Sequence, residues 1–118
     1  MAKHEFGIMD SFDENIWYNV YEPEKYDCIS VSDDIIEMLL DQYHTEFMEI
    51  KTYFQIATQK GAGLDYCGVT IIPPESLNRF RDVVIKANSR FKSKELQYLI
   101  DKITEGIVKN KHVIHFGI

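Results

Sequence analysis

The chain opens on an apolar segment, Lys3 to Met9, that reads as a first strand. A second stretch, Tyr26–Val31, is also strand-like, and Ser32-Asp33-Asp34 after it reads as a helix start, with Asp34 and Glu37 at capping-box spacing. Ile36, Leu39, Leu40 and Tyr43 then recur on one helical face. Residues 46–57 fit two periods at once: Ile50, Thr52, Phe54 and Ile56 alternate as in a strand, whereas Phe47, Ile50 and Phe54 suit a helix. Gln59-Lys60-Gly61-Ala62-Gly63 decides for strand-turn-strand, as a hairpin connection into the β-branched run Tyr66–Ile72. Pro73-Pro74-Glu75-Ser76 ends that strand and opens a helix with Leu77, Phe80, Val83, Val84 and Ala87 as its buried stripe. Ser93 caps a last helix, in which Leu96, Leu99, Ile100, Ile103 and Ile107 repeat at helical spacing, and Asn110 releases the chain into a final strand over Val113–Ile118.

The tripeptide Phe-Gly-Ile occurs both at Phe6-Gly7-Ile8 and at Phe116-Gly117-Ile118. Apolar termini of this kind predict that both end segments belong to one buried sheet, with glycine where another group approaches closely. Strands joined by a hairpin and helices grouped in sequence give an α+β fold. The expectation is a single domain over residues 1–118, with a mainly antiparallel or mixed sheet of about five strands and three helices packed on it. The segment Asp10–Asp27, broken by Pro23, reads as a loop that includes a short strand at Ile16–Tyr21.

A chain of 118 residues buries a real core without metal or disulfide staples. Cys28 and Cys67 both fall in apolar strand-like runs, as reduced and slowly reacting thiols do, which points to a cytoplasmic setting. Met1-Ala2-Lys3-His4-Glu5 lacks the long apolar stretch of a signal peptide and no window approaches a membrane span, so neither export nor anchoring is expected. The net charge of -6 is unevenly distributed: residues 1–78 carry 15 acids and 4 bases, residues 79–118 carry 4 acids and 9 bases.

Several constellations resemble chemistry. Tyr21 and Lys25 have the Tyr-x-x-x-Lys spacing of short-chain dehydrogenases, but Pro23 between them is incompatible with the helical turn that would join them, and no Gly-rich dinucleotide loop follows a strand. His4, His112 and His115 could converge from the first and last strands, yet strand parity sends His115 to the face opposite His112, so no metal is expected and the histidines read as strand ends at a solvent boundary. Cys67 beside Gly68 could pair with a histidine as a nucleophile, although cysteine in such a run is usually a small buried hydrophobe. Gly61-x-Gly63 lacks the lysine and helix of a phosphate loop. Arg79, Arg81, Lys86, Arg90, Lys92 and Lys94 form a basic stretch without interleaved aromatics, which reads as a solvated helix face rather than a nucleic-acid interface. His44, after an apolar helix face, reads as a surface or capping residue.

The segment Asp10–Asp27 carries the strongest functional signal, because Trp17, Tyr18, Tyr21 and Tyr26 sit among six acids and one base, Lys25. Aromatic side chains bury much area for little rotamer entropy, and carboxylates steer a cationic partner. Trp17, Tyr18 and Tyr21, rimmed by Glu22 and Glu24, are therefore the candidate partner-binding residues. The competing reading is a lid that folds these aromatics over an open sheet face. The functional expectation is a small cytoplasmic protein-interaction protein, immunity-like or regulatory, without catalytic activity, cofactor or metal. Its partner would be a protein with a cationic surface, with a homodimer left open and with neither nucleic acid nor membrane as a target. The alternative is a small-molecule-binding protein or minor enzyme using a Cys/His pocket between sheet and helices.

Lys3-His4-Glu5-Phe6-Gly7-Ile8-Met9, Tyr21-Glu22-Pro23, Tyr66-Cys67-Gly68-Val69-Thr70, Ile72-Pro73-Pro74-Glu75-Ser76-Leu77 and His115-Phe116-Gly117-Ile118 together resemble a group of small Gram-positive bacterial proteins of unassigned function, over nearly the whole length. Members of such groups sometimes carry a dehydrogenase label, against which Pro23 and the chain length argue. The resemblance implies a bacterial cytoplasmic setting and supplies no catalytic residue.

Overall fold

In the computed structural model, which describes residues 2–118, the apolar runs assemble one antiparallel sheet of six strands. The strands are β1 (Lys3–Met9), β2 (Ile29–Ser32), β3 (Lys51–Phe54), β4 (Lys60–Ala62), β5 (Val69–Ile72) and β6 (His112–Phe116), in the order β2-β1-β6-β5-β3-β4. The helices are α1 (Asp33–Gln42), α2 (His44–Met48), α3 (Pro74–Phe91) and α4 (Lys94–Lys109). The single α+β domain with both end strands in the sheet is thus as the sequence implies, with one more strand and one more helix.

Strand parity divides the molecule. Phe6, Ile8, Val31, Ile72 and Val113 face the helices, where they pack with Ile36, Leu39, Leu77, Phe80, Leu96, Leu99 and Ile103. The alternate residues Met9, Val69, Ile71, Ile114 and Phe116 form a second apolar layer on the other face of the sheet. Among the described residues none of α1–α4 contributes to that layer. Phe12, Tyr18, Tyr26 and Cys28, from the long connection between β1 and β2, do so instead.

The extra elements have local causes. Residues 46–57 satisfied both periods because both are present: α2 buries Phe47 and ends at Met48, and β3 begins at Lys51 with Thr52 turned inward. The connection expected at Gln59–Gly63 lies earlier. Phe54 N–H donates to Gln59 O at 3.0 Å, so the turn spans 54–59 and Lys60–Ala62 becomes the edge strand β4. Gly61 lies under the Phe54 ring, where an added Cβ would stand 2.7 Å from the ring carbons. Tyr66–Gly68 form a turn and only Val69–Ile72 pair as β5. The short strand expected at Ile16–Tyr21 does not form, and a 3-10 turn at Pro23–Tyr26 precedes β2. α1 starts at Asp33 after an extended N-cap Ser32, two residues ahead of the expected N-cap Asp34. Ser93 Oγ accepts from Leu96 N–H at 3.2 Å and Asn110 adopts φ 55°, so both expected signals of α4 operate.

The first Phe-Gly-Ile lies within β1 beside β6, with Gly7 opposite Ile114, whereas β6 ends at Phe116 and Gly117 and Ile118 continue past it, bonded to Gly68 O and Tyr66 O. A Cβ on Gly7 would stand 2.6 Å from Tyr26 O, and one on Gly117 would stand 2.7 Å from the Tyr66 carbonyl carbon and nearer still to its oxygen. Both glycines therefore mark close backbone approaches. The expectation of a fully buried end holds for Phe116 but not for Ile118, which is 46% exposed.

Candidate functional site

Two clusters of polar and aromatic residues stand apart from ordinary core packing. On the helix-facing side, β1 and β6 place His4 and His115 in contact, with near-parallel rings and His4 Nδ1 2.9 Å from His115 Nε2. His4 Nε2 lies 3.0 Å from Asp33 Oδ1 at the start of α1, and Tyr66 O–H donates to the same carboxylate oxygen. His115 Nδ1 lies 3.1 Å from Thr70 Oγ1 on β5, and Thr70 Oγ1 accepts from Asp65 N–H at 2.8 Å.

These partners fix the protons. A carboxylate only accepts, so His4 Nε2 carries hydrogen and donates to Asp33, leaving His4 Nδ1 to accept from His115 Nε2–H. His115 Nδ1 then accepts from the Thr70 hydroxyl. The chain Thr70, His115, His4, Asp33 is complete with both histidines neutral. Burial lowers the pKa of both; for His4 the Asp33 contact opposes it, and for His115 the neighbouring His4 adds to it. The Tyr66 hydrogen bond, then that from His4, holds the Asp33 carboxyl below its ordinary value, and the same bond pushes the Tyr66 hydroxyl up to about 12. Both histidines are fully buried, which corrects their assignment to a solvent boundary. They serve as internal cross-links between β5, β6, β1 and α1. His112 points to the other face and stacks on Phe12 at 4.1 Å, so the three histidines do not converge. Among the described residues no group of three His, Cys, Asp or Glu side chains is arranged to hold a metal ion.

The second cluster is the connection 10–28. Its inward aromatics, Phe12, Tyr18 and Tyr26, seal the open sheet face. Its other large apolar side chains are exposed, with Ile16 at 48%, Trp17 at 54%, Val20 at 61% and Tyr21 at 61%, although the Tyr21 ring also rests edge-on against Phe116 at 5.4 Å. Lid and surface patch are therefore the same segment, divided residue by residue. Of the sequence candidates, Trp17 and Tyr21 are exposed, Tyr18 is half-buried beneath them, Glu22 is the N-cap residue of the 3-10 turn and Glu24 lies within it.

The segment is irregular but pinned. Tyr18 N–H donates to Gln55 O at 2.6 Å, Asp13 N–H donates to Tyr18 Oη at 2.8 Å, and Tyr21 O–H donates to the buried Glu5 carboxylate. Glu5 also receives Ser30 Oγ–H at 3.3 Å and lies 3.3 Å from Lys3 Nζ. Between these anchors is a groove of about 600 Å³, lined by Asp10, Asp13, Trp17, Tyr18, Glu22 and Tyr26 among others. Asp10 is held by Lys111 at 2.7 Å, which lowers its pKa, and Asp13 Oδ1 accepts from Asn15 N–H at 2.8 Å. Lys25 Nζ is 3.8 Å from Glu22 Oε2 and 5.6 Å from the Tyr26 ring centre.

The dehydrogenase-like spacing does not bring its residues together, because Tyr21 turns to Glu5 and Lys25 to Glu22. The Glu5 hydrogen bond pushes the Tyr21 hydroxyl up to about 12, away from what a proton-transferring tyrosine needs. Part of the basic stretch is neutralised locally, with Arg79 on Glu49 at 2.6 Å and Lys86 near Glu46 at 3.5 Å.

The thiols differ from their expected equivalence. Cys67 is exposed in the Tyr66–Gly68 turn, while Cys28 is half-buried and burial pushes its thiol up to about 12. Cys67 should alkylate rapidly in the native protein and Cys28 only after denaturant is added. Mass mapping of the labelled thiols checks this, and equal native rates would contradict the packing of Cys28 against Tyr26. Among the described residues no hydrogen bond links Cys67 to a histidine, and the groove contains neither residue type.

Sequence reasoning missed Asp33, Tyr66 and Thr70 as partners of the histidines, and Phe12, Ile16, Val20 and Lys25 as parts of the groove. One signal was available for the first set: a histidine sharing parity with Phe6 and Ile8 is buried and must have a hydrogen-bond partner. No family model, curated protein or solved structure matches the chain. Among the described residues no helix is long and apolar enough to cross a membrane.

Proposed function

We propose that this chain is a small cytoplasmic protein-interaction module, immunity-like or regulatory in kind, that occupies a partner's cationic surface through the segment 10–28. The observation that carries this reading is the outward cluster Ile16, Trp17, Val20 and Tyr21 on a segment whose other aromatics are committed to the core. Four large apolar side chains this exposed and this close in sequence form a patch of the kind that binds a partner, and the tethered backbone lowers the entropy lost on binding. Glu22 and Glu24 stand where carboxylates would steer a basic surface toward Trp17 and Tyr21. The Cys/His alternative lacks a site with both residues, since Cys67 is on a turn and His4 and His115 are sealed in the core.

Affinity capture from a lysate of the encoding organism, at low and high salt, tests the reading. Wild-type bait retains a stoichiometric partner at low salt and Trp17→Ala bait releases it. Absence of a partner at both salts, or equal retention by Trp17→Ala, contradicts the assignment. Glu22→Lys should slow association and flatten its salt dependence, as measured by stopped-flow mixing with that partner. If the partner is a second copy of the chain, sedimentation of the isolated protein shows a dimer that Trp17→Ala dissociates.

A further inference from the structure

We propose that the groove between Trp17 and Tyr26 receives an arginine side chain of the partner, in the position that Lys25 now holds. This rests on the interaction reading above and names the group recognised. Three carboxylates, from Asp10, Asp13 and Glu22, line the groove against one lining cation, Lys25. Asp10 is committed to Lys111, whereas Asp13 has no cationic partner among the described residues and Glu22 meets only Lys25. Phe12, Trp17, Tyr18 and Tyr26 add aromatic rings to the wall.

A carboxylate beside an aromatic face is a site for a cation, and Lys25 already uses it in this way. It uses it weakly. Its ammonium is 3.8 Å from Glu22 and 5.6 Å from the Tyr26 ring, and its side chain is 62% exposed. A guanidinium is better suited, because its planar fork binds a carboxylate through two hydrogen bonds, stacks flat on an aromatic ring and is more weakly hydrated than an ammonium. The groove volume of about 600 Å³ admits such a side chain with its flanking backbone. Lys25 is thus a resident placeholder that the partner's arginine displaces, and removing it should improve binding rather than impair it.

Trp17 is the only tryptophan and lines the groove, so its emission reports occupancy directly. The probe is a short end-blocked arginine peptide, with its citrulline counterpart as the uncharged isostere, titrated at low salt. The arginine peptide should change the emission saturably and bind roughly tenfold more tightly than the citrulline peptide. Lys25→Met should tighten it by about fivefold, and Glu22→Gln should weaken it by about tenfold, each with an unchanged melting temperature. Equal binding of arginine and citrulline peptides, no saturable change, or an affinity unchanged or lowered by Lys25→Met overturns the proposal. If the peptide fails while Trp17→Ala still releases the captured partner, the arginine assignment alone falls. If Trp17→Ala leaves capture intact, the interaction reading falls as well.

Discussion

Deletion of residues 113–118 should abolish cooperative folding. β6 lies between β1 and β5 and hydrogen-bonds to both, so its loss splits the sheet into two pieces. It also removes Val113, Ile114 and Phe116, all buried, from the two apolar layers. Each such side chain contributes roughly 1.5–3 kcal/mol of burial, and a whole domain retains only about 5–15 kcal/mol. His115 leaves with the strand, which strips His4 Nδ1 and Thr70 Oγ1 of a partner. Thermal unfolding followed by circular dichroism checks this. A truncated chain that melts cooperatively near the full-length temperature would contradict the central position of β6.

Acid should destabilise the protein well before its carboxylates titrate. His4 and His115 are held below their ordinary value of 6.5 by burial, so between that pH and their native values the unfolded chain binds more protons than the folded one. Stability therefore rises with pH in this window and is lost as pH falls below about 6.5, by about 1.4 kcal/mol per pH unit for each histidine kept neutral. One proton can enter the chain on His4, if His115 changes tautomer and donates to Thr70, because His4 then lies between Asp33 and a neutral ring. A second has no acceptor to face. His112 is shifted downward by burial too and adds to the slope, so the share of the buried pair is read from His115→Leu, which should make the acid branch shallower by about one proton. Below about pH 4 the direction is reinforced by Asp33, whose lowered pKa contributes stability that disappears as its carboxyl is protonated. Urea unfolding between pH 7 and pH 5 measures these slopes. A flat profile in wild type would show that the histidines take up protons in place.

The fold was legible where one physical signal dominated. Pro74 with Glu75, Ser93 and Asn110 mark α3 and α4 because caps and prolines act locally, and the buried stripes of those helices follow from period alone. β4 was not legible: Lys60, Gly61 and Ala62 have no strand propensity of their own and pair only because β3 offers an edge. The parity of His4, His112 and His115 could be read, and with it the burial of His4, but its partner could not, because that depends on α1 bringing Asp33 over β1, a contact between residues 29 apart in sequence. In the segment 10–28 composition identified the aromatic cluster and could not sort it. Tyr26 is core, Tyr18 is half-buried and Trp17 and Tyr21 are exposed, and the bonds that pin the segment, from Tyr18 N–H to Gln55 and from Tyr21 O–H to Glu5, are tertiary contacts that no local pattern encodes.

Trp17→Ala separates the surface role from the core role in one variant, when its melting temperature and its affinity for the captured partner are measured together. An outward Trp17 predicts a nearly unchanged melting temperature and a loss of about 2 kcal/mol in binding, the scale of an interface anchor. A loss of about 3–5 kcal/mol in stability, as for a buried large aromatic, with binding unaffected after correction for folding, would contradict the account and make the segment a lid alone.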